Sequence, residues 1–410
     1  HLFGLLLRAL NAQVTGAKPL QVHLHLHERS AEEVQGALSR AGKHVDAALN
    51  LIAGRLGLDH DRVFFGRGAV PVMARYLDLH SGPMSQQERD KLLFWYAQAA
   101  MWGRFSGSTE SFIDADLEAL SAGGLDRMLD VLRLWHGGLR VEPGHFTGWN
   151  MGSRFYPVLY MLTRMAEARD WGTGLPLKAE MLGKLSKLEV HHIFPKAQLY
   201  KANFSRADVN AIANFCFLTK GTNLNISDER PEVYFEEIEA NHPGALASQW
   251  IPIDRNLWRI EKYQDFLAAR RELLAAEANK QLAGLLGPEA DRWLSNAAPV
   301  LAAPAVIGGF ASEAEENELV ELNAWVQNRG LAEGLLGYEL VDDTTGEQRA
   351  VLDIAWPQGV RQELTEAVAV LIDESAELMS LANSAGFRCF TTADAFRQYV
   401  VHEVEGEPVS

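Results

Sequence analysis

The sequence predicts a mainly α-helical protein with a small strand–strand–helix module near its centre and an α/β domain at its C-terminus. Three observations lead to this fold class. Apolar residues recur at helical spacing over residues 1–180, two short strand-like runs lie within 181–290, and three further strand-like runs alternate with helical segments over 316–410. With 410 residues, of which 47% are hydrophobic and 22% charged, the composition is globular and excludes a disordered or fibrous chain.

The expected domain boundaries follow changes in composition along the chain. Residues 1–180 are predicted to form a helical domain, and 181–290 the central module with flanking helices. Residues 291–315, rich in Ala, Pro and Gly, are predicted to be a linker, and 316–410 an acidic α/β domain.

Helices in the first domain are predicted by their start signals. Ser30 and Ser85 each precede a glutamate three residues later, Glu33 and Glu88, which is the spacing of a capping box. Apolar residues at helical spacing follow both signals. Further helices are expected over 125–134, 155–168 and 256–286.

The C-terminal domain is predicted from runs of buried, strand-forming residues. These runs cover 338–341, 350–356 and 367–372. Two helical segments, 375–385 and 393–400, follow them.

Cysteine usage and hydropathy restrict the class of protein. Cys216 and Cys389 lie far apart, which excludes a disulfide framework and a four-cysteine zinc site and favours a reducing cytoplasm. The small-apolar run 297–311 contains two prolines and is too short to cross a bilayer, so no membrane association is expected. Because the chain begins at His1 rather than Met, we expect upstream sequence to be missing.

Charge is distributed very unevenly. The net charge of −16 would disfavour nucleic-acid binding if it were uniform. Residues 311–410, however, hold 20 acidic residues against five arginines and no lysine, so they account for nearly all of it. Residues 183–230 hold seven basic residues against four acidic ones, a local excess that suits either phosphate binding or an ordinary solvated surface.

The most informative segment is Leu188-Glu-Val-His-His-Ile-Phe-Pro-Lys196, a strand-like run with two adjacent histidines. Neighbouring side chains on a strand point to opposite faces, so His191 and His192 can perform different tasks. Asn214 is followed by a second short strand, 215–219, and then by the start of a helix.

This strand–loop–strand–helix pattern resembles the HNH nuclease motif, the ββα-metal fold. The spacing agrees, with 22 residues from His192 to Asn214 and nine more to Asn223. The wider chain, over roughly residues 1–285, resembles the GmrSD-type restriction proteins through three segments. These are Trp102-Gly-Arg-Phe-Ser-Gly-Ser-Thr-Glu110, Phe155-Tyr-Pro-Val-Leu-Tyr-Met-Leu162 and Leu218-Thr-Lys-Gly-Thr-Asn-Leu-Asn-Ile-Ser227.

That family carries a ParB-like N-terminal domain with an Asp-Gly-Gln-Gln-Arg motif linked to nucleotide hydrolysis, and no such string occurs here. The resemblance therefore implies the C-terminal part of a longer protein or a truncated homologue. A ParB-like domain or partner chain would be absent, and no nucleotide hydrolysis is assigned to these residues.

The resemblance implies a role for each matching residue. His192 would be the general base, because an imidazole suits proton abstraction near neutral pH. His191 and Asn223 would be the ligands of a divalent metal ion, which is Mg²⁺, Mn²⁺ or another transition metal, since a histidine stands where aspartate is common. Asn214 would orient the base and brace the loop. Lys196, Lys201 and Lys220 are candidates for DNA phosphate contacts, and solvated surface lysines are the equal alternative.

The implied function is metal-dependent cleavage of DNA in the restriction of foreign or modified DNA, which is phage defence. A single site of this kind cuts one strand per event, so double-strand cleavage needs a homo-oligomer or two successive events. The alternatives are a catalytically inactive DNA-binding or regulatory module, and a protein-interaction scaffold that acts through the acidic C-terminal domain.

Two further features are given less weight. His23, His25 and His27 alternate and would share one face of a strand, but solvent-facing histidines are favoured over a metal site. Glu339, Asp342 or Asp343, and Asp353 loosely resemble the acidic positions of a PD-(D/E)xK nuclease, although Ala355 occupies the position of its lysine. An inactive fold used for protein contacts or autoinhibition is the expectation for this domain, alongside a merely acidic, soluble one.

Overall fold

The computed structural model describes residues 30–60, 62–80, 82–105, 109–149, 153–178, 188–294, 307–309, 313–341, 348–362 and 364–406. The alternating histidines His23, His25 and His27 lie outside these residues. Over the described ranges the protein is mainly helical with small sheets, as expected. None of the described helices is long and apolar enough to cross a membrane.

The described helices, in chain order, are α1 Ala31–Leu51, α2 Ala69–Leu79, α3 Gln86–Met101, α4 Thr109–His136, α5 Tyr156–Met165, α6 Lys196–Lys201, α7 Arg206–Val209, α8 Lys220–Ile226, α9 Pro231–Asn241, α10 Ala245–Ser248, α11 Tyr263–Leu286, α12 Ala290–Leu294, α13 Glu313–Gln327, α14 Ala376–Ser384 and α15 Ala393–Tyr399. The strands are β1 Leu188–His192, β2 Phe215–Thr219, β3 Ile307–Gly308, β4 Leu335–Val341, β5 Gln348–Trp356, β6 Val368–Val370 and β7 Arg388–Phe390.

Helices α1 and α3 begin directly after Ser30 and Ser85, where the sequence signals place them. Ser85 accepts the backbone N–H of Glu88, and the Glu88 carboxylate accepts the backbone N–H of Ser85, which completes the predicted capping box of α3. Helix α4 is longer than predicted and is interrupted at Gly123 and Gly124, where Gly124 has a φ of +64°. The predicted helix 125–134 is therefore its second half.

Helix α11 joins two hydrophobic cores. Its later residues, among them Leu274 and Leu282, pack with helices α1–α5. Its first residues, Tyr263 and Phe266, pack in a second core that also contains Cys216 and Leu218 of β2. The ranges 1–180 and 181–290 were expected to be separate domains. Helix α11, which belongs to the second range, packs in the core of each.

The C-terminal segment, residues 313–406 of the described ranges, forms a sheet with helices on both faces. Strand β5 pairs antiparallel with β4 and β6, and β6 pairs parallel with β7. One face of the sheet packs against α13 and α15, and the other against α14. The three strand runs and two helices expected after residue 337 are present at nearly the predicted positions.

Residues 291–315 were predicted to be a linker, but the described residues of this range include a strand of the C-terminal sheet. Strand β3, Ile307–Gly308, pairs parallel with Ala350 and Val351 of β5 and is part of the sheet. Gly308 has a φ of +98° and approaches the β5 backbone so closely that a Cβ would lie 2.2 Å from the Val351 carbonyl oxygen. Residues 295–306 and 310–312 of that range lie outside the described residues.

The sheet buries a carboxyl group whose protonation state should affect the free energy of unfolding. Asp353 on β5 is fully buried, and its Oδ2 accepts the backbone N–H of Ile372 at 2.8 Å. Burial, and next the nearby Glu374, raise the pKa of Asp353 to about 8. The native state therefore holds a proton that the unfolded chain releases near pH 4.

We predict that the free energy of unfolding falls as pH rises from about 7 to about 8, because the buried histidines are then neutral in both states while native Asp353 still binds a proton that the unfolded chain has lost. Asp353→Asn should remove up to about 1.4 kcal/mol per pH unit of that slope. Urea unfolding at several pH values measures it, with the exposed Asp394→Asn as control. Equal slopes in wild type and Asp353→Asn would contradict a protonated Asp353.

Candidate active site

A surface pocket of about 280 Å³ opens where the end of β1 meets the start of α6 and helix α8. Four of the residues singled out from the sequence line it: His191, His192, Lys196 and Asn223. The remaining lining residues are Val190, Pro195, Ala197, Ser227 and Asp228. Segments separated by 32 residues in sequence thus contribute predicted site residues to one pocket.

The pairing of β1 with β2 determines where the two histidines point. The strands run antiparallel, with His191 opposite Cys216 and His192 opposite Phe215. His191 faces the second core, where its ring meets the edge of Trp171 at a centroid distance of 5.7 Å. His192 faces the other way, and its ring meets Phe215 at 4.8 Å. The alternation expected of a strand is present.

His191, Asn223 and Glu189 form one hydrogen-bonded group. The amide Nδ2 of Asn223 donates to Glu189 Oε2 at 3.2 Å, which leaves its Oδ1 facing His191 Nδ1 at 2.8 Å. An amide oxygen only accepts, so Nδ1 carries the proton of this imidazole. Burial lowers the pKa of His191 to about 4, and the ring is therefore neutral at pH 7.

Helix α8 holds Asn223 in place because a buried carboxylate organises its first turn. Asp170 Oδ1 accepts the backbone N–H of Thr219 at 2.9 Å, and its Oδ2 accepts the Thr222 hydroxyl at 2.6 Å. Asp170 itself is fully buried in the loop that precedes β1. Asp170 thereby takes the role of the N3 carboxylate of a capping box, which accepts the N–H of the N-cap residue.

The side chains of this group include atoms that can ligate a divalent ion, although they are too few to surround it. Within the described part of the chain, no three His, Cys, Asp or Glu side chains cluster as a metal site. The atoms that converge are His191 Nδ1 and Asn223 Oδ1, 2.8 Å apart. They could bind one ion together only after the Nδ1 proton moves to Nε2, because a protonated Nδ1 has no lone pair. That separation is close to the spacing of adjacent ligands on one octahedral ion with ligand distances of about 2.1 Å. A nitrogen and an amide oxygen suit Mn²⁺ as well as Mg²⁺.

His192 is held by a residue that the sequence pattern does not identify. Its Nε2 lies 3.3 Å from Oδ1 of the buried Asn210, whose own Nδ2 donates to the Arg206 carbonyl. Burial, and next the ammonium of Lys196, lower the pKa of His192 to about 3, so the imidazole is neutral at pH 7. With Nε2–H directed at Asn210, Nδ1 carries the lone pair that can accept a proton.

Asn214 joins the loop after β1 to the segment before β2. It is fully buried, and its Oδ1 accepts the Phe194 N–H at 2.8 Å. Its Nδ2 donates at 3.0 Å to the carbonyl oxygens of Phe194 and Val209. The bracing role expected of Asn214 is therefore visible, whereas the side chain bonded to His192 is Asn210.

A buried arginine forms hydrogen bonds with the backbone on both sides of Asn214. Arg270 of α11 donates from Nη1 to the carbonyl oxygens of Ala213 and Phe215, at 2.7 and 2.6 Å, on either side of Asn214. A third bond reaches the Gln249 carbonyl at 3.3 Å. The long helix thus sets the position of the turn that enters β2.

The three candidate phosphate-binding lysines occupy different surroundings. Lys196 lines the pocket, and its ammonium is ion-paired with Glu316 of α13. Lys201, at the end of α6, and Lys220, at the start of α8, are exposed and lie outside the pocket lining. Only Lys196 is therefore brought beside the histidines.

Sequence reasoning missed Glu189, Asn210 and Asp170. The i, i+2 relation between Glu189 and His191 on a strand would have placed both on one face. No comparable pattern signals Asn210 or Asp170, because their partners are set by tertiary packing.

Comparison with known proteins adds no relationship to these observations. No protein-family model matches the chain, and the search of curated proteins returns no significant match.

We predict that His191→Ala and Asn223→Ala each weaken Mn²⁺ binding about tenfold or more, because each removes one of two converging donors. Isothermal titration calorimetry measures the dissociation constants. Asn225→Ala is the matched control, since Asn225 is exposed on the same helix and lies outside the pocket lining. Wild-type affinity in both site variants would place the ion elsewhere.

Asn214→Ala should lower the free energy of unfolding by about 2–4 kcal/mol, because it leaves a buried N–H and two buried carbonyl oxygens without their partner. Asn225→Ala should change it by less than about 0.5 kcal/mol. Urea denaturation compares the two. A similar small effect of both substitutions would show that the loop does not depend on Asn214.

Proposed function

We propose that this chain is a metal-dependent HNH endonuclease that hydrolyses phosphodiester bonds of DNA. One observation carries the proposal. The antiparallel pair β1–β2 directs two adjacent histidines to opposite faces, and helix α8, which follows directly, brings Asn223 to hydrogen-bonding distance of one of them. In this arrangement one histidine would accept a proton and the other would bind a metal ion together with Asn223, at the same pocket.

His192 would accept the proton of the attacking water through Nδ1. Its neutral state at pH 7 leaves that lone pair free, and the hydrogen bond from Nε2 to Asn210 fixes the orientation of the ring. The imidazolium formed in the reaction would be stabilised by Asn210, which accepts a hydrogen bond from it.

His191 and Asn223 would hold a divalent ion, which when bound supplies positive charge to the scissile phosphate and the leaving 3′ oxygen. Glu189 would orient the Asn223 amide from the far side. Lys196, at the rim of the same pocket, would contact a phosphate next to the scissile one once it is released from Glu316.

The biological role that we propose is restriction of foreign or modified DNA, in phage defence. It rests on the resemblance of segments 102–110, 155–162 and 218–227 to GmrSD-type restriction proteins. The buried segment 155–162 lies largely within α5, which packs on β2 through contacts such as Tyr160 with Phe217 at 4.9 Å. In such a protein the helical region would support the nuclease module.

The proposal predicts metal-dependent nicking of supercoiled plasmid by this chain in Mg²⁺ or Mn²⁺ and none in EDTA. His192→Ala should reduce the rate by about 10²–10⁴-fold, since general-base catalysis contributes that much. Nicked circles should precede linear DNA, because one site cuts one strand per event. Gel electrophoresis over a time course measures both.

The control is His402→Ala, which removes an exposed histidine near the end of the described chain. It should cut at the wild-type rate. Cleavage that survives His192→Ala would place the active site elsewhere. DNA binding without cleavage in any metal would instead identify a catalytically inactive DNA-binding module.

A further inference from the structure

The C-terminal segment meets the candidate active site through opposite charges. We define the cationic face as Lys196, Arg206 and Arg154, and the acidic cover as Glu316, Glu374 and Glu339. Each member of the face is paired with one member of the cover. All three pairs join parts of the chain more than 100 residues apart.

The first pair lies at the rim of the pocket. The ammonium of Lys196, which lines the pocket together with both histidines, is ion-paired with the Glu316 carboxylate. Their side chains are 20% and 23% exposed. A carboxylate of the C-terminal segment thus binds the cation closest to the proposed base.

The second pair is the most enclosed. Arg206 on α7 donates hydrogen bonds to the Glu374 carboxylate and to the Gly309 carbonyl. Gly309 has a φ of +84°, and its backbone packs against the ring of Trp149 so closely that a Cβ would lie 2.1 Å from the ring edge. The Glu374 side chain is only 4% exposed.

The third pair extends the contact to the start of α5. Arg154 Nε lies 3.9 Å from Glu339 Oε1 on β4. The cationic face therefore includes residues that lie before β1 as well as after it.

Three arginines of the C-terminal segment pair with carboxylates outside the acidic cover. Arg329 pairs with Glu405, Arg388 with Glu366 and Glu403, and Arg397 with Asp394. The cover carboxylates instead meet cations from the part of the chain that carries the candidate active site. Carboxylate and phosphate oxygens bind Lys and Arg by the same charge-assisted hydrogen bonds.

We propose that the cationic face is the surface that binds the phosphate backbone of duplex DNA, and that the acidic cover occupies it in the resting chain. DNA and the C-terminal segment then compete for the same three cations. This inference rests on the proposed function and identifies how access to that site is regulated. Release can begin at Lys196, whose pair with Glu316 is partly exposed and so contributes little stability, and a duplex offers one phosphate charge per about 1.7 Å.

The test compares two triple variants of the full chain, each of which replaces three glutamates by glutamine. Glu316→Gln, Glu339→Gln and Glu374→Gln together remove the cover. The control substitutes Glu318, Glu321 and Glu377 by Gln, all three of which are exposed. Fluorescence anisotropy of a labelled duplex in EDTA measures binding without hydrolysis, and plasmid nicking is measured separately in Mn²⁺.

Removal of the cover should tighten duplex binding about tenfold or more, since the partly exposed Lys196–Glu316 pair alone is worth up to about fivefold and the two more enclosed pairs add to it. The control should tighten it less than about threefold, through net charge alone. Glu316 is the most exposed carboxylate of the acidic cover, and Glu316→Gln by itself should tighten duplex binding about two- to fivefold. This single variant decides the question if the triple variant fails to fold.

The inference is overturned if wild type, both triple variants and Glu316→Gln bind the duplex with equal affinity. It is also overturned if none of them binds. If wild type nicks plasmid while these affinities are equal, the proposed function stands without the cover. If removal of the cover tightens binding but no chain nicks in any metal, the competition stands and the proposed hydrolysis is contradicted.

Discussion

The antiparallel pairing of β1 with β2 is the interaction on which the candidate site depends. It directs His191 toward Asn223 and His192 toward Asn210, and a one-residue slip in register would exchange the two faces. A two-stranded sheet is marginally stable alone, so its register needs support from outside. That support comes from Asn214, which joins the loop after β1 to the segment before β2.

Helix α11 connects this small sheet to the rest of the chain. Arg270 places its guanidinium on the carbonyl oxygens that flank Asn214, and the same helix continues into the core of the N-terminal helices. A fully buried arginine is stable here because carbonyl oxygens accept its hydrogen bonds. The helical region therefore contributes directly to the geometry of the pocket.

Local signals predicted much of the fold. The capping box at Ser85, the strand 188–192 and the C-terminal strands follow from patterns that a short window contains. The resemblance to the HNH motif likewise grouped His191 with Asn223, two side chains that the structure brings to 2.8 Å. Their proposed role in metal binding remains a prediction.

What the sequence did not predict depends on contacts between distant segments. Asn210 reaches His192 because α7 folds back over the end of β1, and Asp170 reaches α8 across 49 residues. The strand Ile307–Gly308 looked like linker because glycine and small residues carry no strand signal, and pairing with β5 alone defines it. Charge counting anticipated an acidic C-terminal segment, but only tertiary structure places Glu316 on Lys196.

The most direct test of the account is chemical rescue at His192. Single-turnover cleavage of an end-labelled duplex in Mn²⁺ would be measured for His192→Gly with increasing free imidazole. If His192 is the proton acceptor, imidazole should enter the space of the missing ring and restore cleavage in a saturable manner, while leaving the wild-type rate unchanged. A wild-type chain that cleaves, beside a variant that imidazole does not rescue, would contradict the role assigned to His192.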